Sequence, residues 1–417
     1  ITLHLTLNYL NQKTKPMKKL LILILPAVLM FSCNKVTEVP QVITSNAVIT
    51  DTVVTLSGEV TFTGDDNNTT RGFCWSESQS PTTADEVWID NSTGLGLFNF
   101  SVDAISLLKP NTTYYCKTFA ENEAGKSYGN EIVFTSPNFA FINSNGCVEC
   151  NNCIVGDTYR VQGVEYYVAD RNTILDAIAN NDDLSKYITT SISDMSYLFR
   201  NYETFNQDIS SWDVSNVGDM SEMFYRAKAF NQDIGNWDVS NVINMSKMFY
   251  VTFAFNQDIG SWDVSGVNDM TSTFYASIVF NQDIGNWDVS NVEDMNLMFG
   301  EAHAFNQDIG SWDVSNVTNM SGMFGLAKAF NQDIGSWDVS NVYDMSGMFG
   351  AAYAFNQDIG SWDVSNVYDM NYMFQNATIF NQDLTQWCVS FFSSMPTDFS
   401  TSSALTASNH PVWGTCP

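Results

Sequence analysis

The stretch Trp312-Asp313-Val314-Ser315-Asn316-Val317-Thr318-Asn319-Met320-Ser321-Gly322-Met323-Phe324-Gly325-Leu326-Ala327-Lys328-Ala329-Phe330-Asn331-Gln332-Asp333-Ile334-Gly335-Ser336 is one unit of a series. Phe-Asn-Gln-Asp recurs at Phe205, Phe230, Phe255, Phe280, Phe305, Phe330, Phe355 and Phe380, eight times at a spacing of 25, and Trp keeps step from Trp212 to Trp387. A fixed period of this size marks a stacked array. Val317, Met320, Met323, Phe324, Ala327 and Phe330 are spaced by three or four, as on one helical face, with Asp313, Ser315 and Asn316 as N-caps. Phe330 then leads into Gln332–Trp337, which reads as a short strand closed by a turn. The expectation is one helix and one strand per unit, wound into a right-handed coil. Strands about 4.8 Å apart would make eight units a rod segment of roughly 40 Å.

The unit Trp-Asp-Val-Ser-Asn-Val-x-x-Met-Ser-x-Met-Phe-x-x-Ala-x-x-Phe-Asn-Gln-Asp resembles the BspA-type leucine-rich repeat, also called the Mycoplasma lipoprotein repeat, over about residues 191–399. Residues 400–417 resemble the C-terminal cap of such proteins. The resemblance implies an α/β leucine-rich-repeat-like solenoid, cell-surface attachment, and binding to host or matrix protein.

Before the repeats, the chain divides further. Met17-Lys18-Lys19 and the apolar run to Phe31, ending Ser32-Cys33, resemble a bacterial lipoprotein signal over residues 17–33, with Cys33 acylated. Residues 1–16 read as an over-extended gene start. Residues 41–137 alternate apolar and polar side chains between Gly-, Asn- and Asp-rich turns, which predicts a β-sandwich. Leu108-Lys109-Pro110-Asn111-Thr112-Thr113-Tyr114 resembles the tyrosine corner of fibronectin type III domains, in which the Tyr hydroxyl bonds back to the backbone. Residues 138–190 read as an N-terminal cap or linker, with a hairpin and a short helix from Thr173 to Ala179 capped by Asn172 or Thr173. The expected architecture is multidomain, a sandwich followed by a solenoid.

The formal net charge of −29, from 17 basic and 46 acidic residues, excludes nucleic acid as a partner. Past the signal, no run approaches the roughly 20 apolar residues of a membrane span. Two aspartate ladders stand out, Asp208, Asp233, Asp258, Asp283, Asp308, Asp333, Asp358 and Asp383, and the row from Asp213 to Asp363. Like charges so close repel by roughly 1 kcal/mol per pair even in water. Turn hydrogen bonds to backbone N–H groups would offset this, with Ca²⁺ on the first ladder as the alternative. Setting Cys33 aside, Cys388–Cys416 and Cys74–Cys116 are candidate disulfides, and Cys147, Cys150 and Cys153 read as one disulfide plus a free thiol. Only His4, His303 and His410 occur, and no nucleophile elbow, P-loop or HExxH motif accompanies them, so no enzyme is expected and no cofactor beyond the Ca²⁺ alternative.

Comparing the units locates the variation. Tyr225, Tyr250 and Tyr275, with Tyr343 and Tyr368, are candidate ligand anchors in the variable half. The expected function is adhesion or binding of an extracellular protein or glycan by a lipid-anchored protein of the bacterial outer membrane, exposed at the surface. The alternative is a structural envelope spacer without a dedicated ligand.

Overall fold

A computed structural model describes residues 38–50, 52–66 and 68–417. The signal over residues 17–33, with Cys33, and the stretch 1–16 lie outside them. The described chain is mostly β-structure and turns with little helix. Among the described residues no helix is long and apolar enough to cross a membrane.

The N-terminal part builds two antiparallel sheets. In the first, β1 (Gln41–Thr44) and β2 (Val48–Thr50) pair with one side of β3 (Val53–Phe62), and β6 (Gly96–Asp103) pairs with the other. In the second, β4 (Thr70–Ser76) lies between β5 (Glu86–Asp90) and β7 (Thr113–Asn122), and β7 also pairs β8 (Gly125–Tyr128) and β9 (Ile132–Thr135). Alternation turns Val54, Leu56 and Val60 of β3 inward against Phe73 and Trp75 of β4 and Tyr114 of β7. The Tyr114 hydroxyl accepts the Lys109 N–H at 2.9 Å, tying the entry of β7 to the turn before it.

Cys74 and Cys116 are separate buried thiols, which corrects the expected bridge. The register pairs Cys74 with Lys117 and Trp75 with Cys116. Directly opposed residues share a face and their sequence neighbours point the other way, so the two sulfurs lie on opposite faces of the sheet.

The next segment holds the small antiparallel pair β10 (Phe141–Ile142) and β11 (Val148–Glu149), then β12 (Thr158–Val161) with β13 (Val164–Val168), and β14 (Tyr187–Ile188) parallel to β13. The helix between β13 and β14 spans Arg171–Asn180, and its cap is Asp170, whose side chain accepts the Thr173 N–H at 2.8 Å. That replaces Asn172 or Thr173, because only Asp170 has the extended backbone an N-cap needs. Ile174, Ala177 and Ile178 of this helix join the core of the first repeat. They cover apolar surface that would otherwise face water.

In the repeats the helix and the strand were both misplaced. Met320, Gly322, Phe324 and Leu326 send their N–H groups to Asp344, Ser346, Met348 and Gly350 of the next unit, at 2.7–3.0 Å. The residues between them close tight turns: Met323 N–H to Met320 O, Gly325 to Gly322 and Ala327 to Phe324, at 2.9–3.1 Å. Gly322 and Leu326, third residues of two of these turns, have φ of 62° and 61°, the signature of type II turns. An α-helix would instead bond each N–H four residues back. Tandem four-residue turns place residues 320, 323, 324 and 327 on one inner side, so they imitate a helical period. The expected strand at Gln332–Trp337 is a turn held by the Trp337 N–H to Ile334 O. The β-ladder is one residue wide and lies elsewhere, running in parallel from Asp194 through Asp219, Asn244, Asp269, Asp294, Asn319 and Asp344 to Asp369.

Side chains lock the units in register. Each Asn of the Phe-Asn-Gln-Asp motif accepts the N–H of its counterpart one unit on, as Asn306 Oδ1 does from Asn331 at 2.8 Å. The following Gln donates back, Gln332 Nε2 to Asn306 O at 2.9 Å. Trp337 Nε1 donates to Ile309 O at 3.1 Å, and Asn341 Nδ2 to Ser315 O at 2.7 Å. Inside, Trp312, Val314, Val317, Met320, Met323, Phe324, Ala327, Phe330 and Ile334 are all buried. Phe324 stacks on Phe299 and Phe349 at 5.8 Å, and Phe330 on Phe305 at 6.1 Å and Phe355 at 6.0 Å, offset stacking repeated along the array. The last unit ends this pattern: Phe399 meets Phe374 at 83°, and Trp413 meets Phe399 at 83°. Thr406 and Asn409 bond Asn381 as a further Asn-Gln pair would.

Stacking favours glycine at Gly310, since a Cβ there would crowd the carbonyl oxygen of Asp333 in the next unit, although the first unit carries Ser210 at this position. A Cβ on Gly218 meets only Ser193 O at 3.9 Å. Gly310→Ala should therefore destabilise the array by about 1–3 kcal/mol, whereas Gly218→Ala should change stability by less than about 0.5 kcal/mol. Urea unfolding followed by circular dichroism checks both; equal effects would remove the close-approach explanation.

Candidate functional site

The recurring polar side chains of each unit join units or, as the aspartates do, close turns within one, so a surface that differs from unit to unit has to come from the positions that vary. The αL turn positions and the residues beside them form one such face. There, Tyr225, Tyr250 and Tyr275 make a half-buried row, with ring centroids 4.6 and 4.7 Å apart and planes within 12°. Turn geometry places them: each follows the buried Phe of its unit, and successive units superpose every 25 residues. The Arg200 guanidinium lies 5.0 Å from the Tyr225 ring centre and caps the row by a cation–π contact. Glu222 bridges Arg200 at 2.6 Å and Lys247 at 3.8 Å. At the other end Tyr275 Oη donates to Glu301 Oε1 at 2.7 Å. The rings face one another, so the row offers edges and hydroxyls to solvent, not open faces.

Tyr343 and Tyr368 do not join this row. They form a separate exposed pair, with centroids 6.3 Å apart, at the repeat position of Gly218 and Ile243. The five tyrosines are thus two sites' worth of surface, divided because seven residues separate the two positions within a unit.

Beyond Tyr275 the row stops at Gly300, Gly325 and Gly350. Gly322 and Gly347 occupy the αL positions beside them, with φ of 62° and 61°. A trough of about 450 Å³ opens there, walled by Tyr275 and Leu297 at one end and Tyr372 and Gln375 at the other. The change from Tyr to Gly is visible in the sequence, but the glycines come side by side only through the turn ladder that stands in place of a helix.

The ladder from Asp208 to Asp383 is built from turns. Asp333 Oδ1 accepts the Gly335 N–H at 3.0 Å, and its counterparts repeat the bond. In the second ladder Asp338 accepts the Ser340 N–H at 3.0 Å. Hydrogen bonds from the Ser340 hydroxyl and N–H hold its carboxyl below the usual range, against the opposing push of Asp313. Among the described residues no three His, Cys, Asp or Glu side chains converge as a metal site would need. The calcium alternative therefore lacks a converging ligand set, because stacking spreads the carboxylates along a line.

Cys388 and Cys416 are bonded, closing the C-terminal cap, and Cys150 is bonded to Cys153. Cys147 is a buried thiol pushed up to about 12 by burial, and burial likewise raises Cys74 to about 11 and Cys116 to about 12. Such thiols are protonated at neutral pH and poor nucleophiles. His303 and His410 are both held below the ordinary histidine range by burial. His410 Nε2 lies 3.2 Å from Ser400 Oγ, but among the described residues no carboxylate is hydrogen-bonded to the imidazole. The pair lacks the third member that orients a catalytic base.

With this geometry in hand, comparison with known proteins is informative chiefly for the array. The family described as Mycoplasma protein of unknown function, DUF285, matches residues 170–277, 252–337 and 307–413, more than half of the chain. The chain belongs to the DUF285 family. No curated protein matches it. The sensor domain of the anti-sigma factor RsgI4 from Pseudobacteroides cellulosolvens is similar at 18% identity, over 24% of this chain and 96% of that one, with a TM-score of 0.19. A likeness that slight carries no argument about the DUF285 array or the sheets before it.

The tyrosine row has a titration signature. Burial, then the hydrogen bond and charge of Glu301, then Tyr250, raise the Tyr275 phenol far above the ordinary value. Because its proton is held more tightly in the folded state, the stabilisation is complete below about pH 10, the unfolded tyrosine value, and is lost as pH rises beyond it. In an ultraviolet pH titration Tyr275 should ionise well after the exposed tyrosines, and Glu301→Gln should bring it part of the way back. Unchanged titration in that variant would exclude Glu301 as a cause.

Proposed function

We propose that this chain is a surface-displayed bacterial lipoprotein that binds by contact and catalyses nothing. In this reading the array is a leucine-rich-repeat solenoid of the BspA type, and the two N-terminal sheets are a fibronectin type III-like spacer. Acylation at Cys33 anchors it to the outer membrane, and the partner is an extracellular protein or glycan.

One observation carries the proposal. Many side chains that recur are consumed in holding unit to unit, as Asn331, Gln332, Trp337 and Asn341 illustrate, and the recurring Asp333 and Asp338 close turns within their unit. The side chains that vary stand on the turn face and beside the one-residue ladder, where Tyr343, Tyr353, Tyr368 and Tyr372 are exposed. A scaffold that fixes its framework so tightly and varies mainly its outward-facing groups, with Thr252, Thr273 and Ser277 the buried exceptions, is suited to recognition. The net charge of −29 supports solubility in a crowded extracellular setting and opposes binding to nucleic acid.

Protease shaving of intact cells expressing the full chain tests display. Peptides around Trp312 should be released without lysis. If they appear only after lysis, display is wrong and a spacer role inside the envelope takes its place.

A further inference from the structure

Resting on the binding role proposed above, we infer that the trough over Gly325 and Gly350 is a binding site for a neutral glycan segment. The chain itself shows what the position can hold. Tyr225, Tyr250 and Tyr275 fill it in three successive units, and Gly300, Gly325 and Gly350 vacate it in the next three. The Tyr275 ring leans over Gly300, where a Cβ would stand 2.9 Å from its Cδ2, whereas a Cβ on Gly325 would have backbone nearest it, the Gly322 and Gly347 carbonyl oxygens at 3.3 and 3.4 Å. A Cβ on Gly347 would have nothing within 4 Å.

The lining decides the ligand class. Its volume of about 450 Å³ suits a small ligand, and it is apolar with a few polar groups, the usual character of such sites. Leu326 and Ala351 add aliphatic surface, while Tyr353 and Tyr372, both more than two-fifths exposed, bring aromatic rings with hydroxyls. Glu301, Gln375 and Asn376 supply hydrogen-bonding groups. The pairing of apolar rings with amides and a carboxylate matches a pyranose, which has an apolar C–H face and a rim of hydroxyls. Among the described residues no Lys or Arg lines the trough, and the net charge of −29 repels polyanions, so the glycan is neutral. The trough runs along the array, across several units, and can take a chain of sugars. A protein partner of ordinary affinity would need roughly 800 Å² on each side, more than this depression offers.

The test uses the full chain on an array of neutral hexose and N-acetylhexosamine oligosaccharides, followed by calorimetry with the sugars that bind. The paired variant is Gly325→Tyr/Gly350→Tyr, which extends the tyrosine row that the first three units already accommodate. A second variant, Tyr353→Ala, alters an exposed side chain and guards against misfolding of the first. Both should keep the wild-type melting curve; the filled variant should lose at least tenfold in affinity, and Tyr353→Ala should weaken binding measurably. Glycan binding that survives a folded filled variant, or no neutral glycan bound at all, overturns the inference. Binding to surfaces coated with extracellular matrix protein is measured in parallel. If wild type binds protein but no glycan, the glycan site is wrong and the contact role stands; if it binds neither, both fall.

Discussion

Every other feature of the array depends on one backbone constraint: the N–H groups of alternate residues in one unit must find the carbonyls of the next. Met320, Gly322, Phe324 and Leu326 meet residues 24 positions ahead, and the intervening N–H groups close turns within the unit. Buried backbone groups must be paired, and with no helix or wide sheet the pairing has to come from an adjacent unit. This constrains the unit length: the offset is 24 at these residues, and the last step, where Tyr372, Phe374 and Asn376 bond Thr397, Phe399 and Thr401, takes up one extra residue with the bonds kept. It also fixes composition. Residues at the αL positions tolerate many side chains, but Gly310 and the other glycines at its repeat position sit where the next carbonyl would crowd a Cβ. Thr385 takes this place in the last unit, where no further Phe-Asn-Gln-Asp unit follows. The first unit has Ser210.

The period, the buried set and the need for distinct ends were legible in the sequence, since apolar residues recurring every 25 positions can be satisfied only by stacking. The local conformation was not. Spacings of three and four at Val317, Met320, Met323, Phe324 and Ala327 fit a helix, but tandem turns of four residues generate the same spacings. The residues that distinguish them are those at φ near +60°, and they include Glu222, Lys247 and Leu297 as well as Gly322, so composition gives no warning. The register of β4 on β7 was equally invisible, and with it the opposite facing of Cys74 and Cys116. Of the site, the tyrosine row could be located but not oriented. That its rings face each other, and that the glycines after it form a trough, follow from unit-to-unit superposition.

The same superposition explains why a strongly acidic array is compatible with close aspartate ladders. Each carboxylate is spent locally on the N–H two residues ahead, which spreads its charge into the turn. Ser340 adds a hydroxyl, and the carboxyl of Asp338 is stabilised as the anion despite Asp313 nearby. Repulsion between units is thereby offset turn by turn. Basic residues are scarce in the array and most sit near its start, where Arg200 and Lys247 share Glu222.

A framework this constrained leaves few degrees of freedom for recognition, and they are of one kind. A position on the turn face can be filled or empty, and neighbouring units repeat the choice. Three tyrosines in succession give a solid ridge whose rings satisfy each other; of the three glycines that follow, Gly300 lies under the last ring and Gly325 and Gly350 floor a hollow. Ridge and hollow are thus two states of one column, alike in backbone and different only in the side chain at the repeat position. Shape along the array is written by substitution at single sites, with the hydrogen bonds between units untouched. That separation lets the outward face change without disturbing the core beneath it.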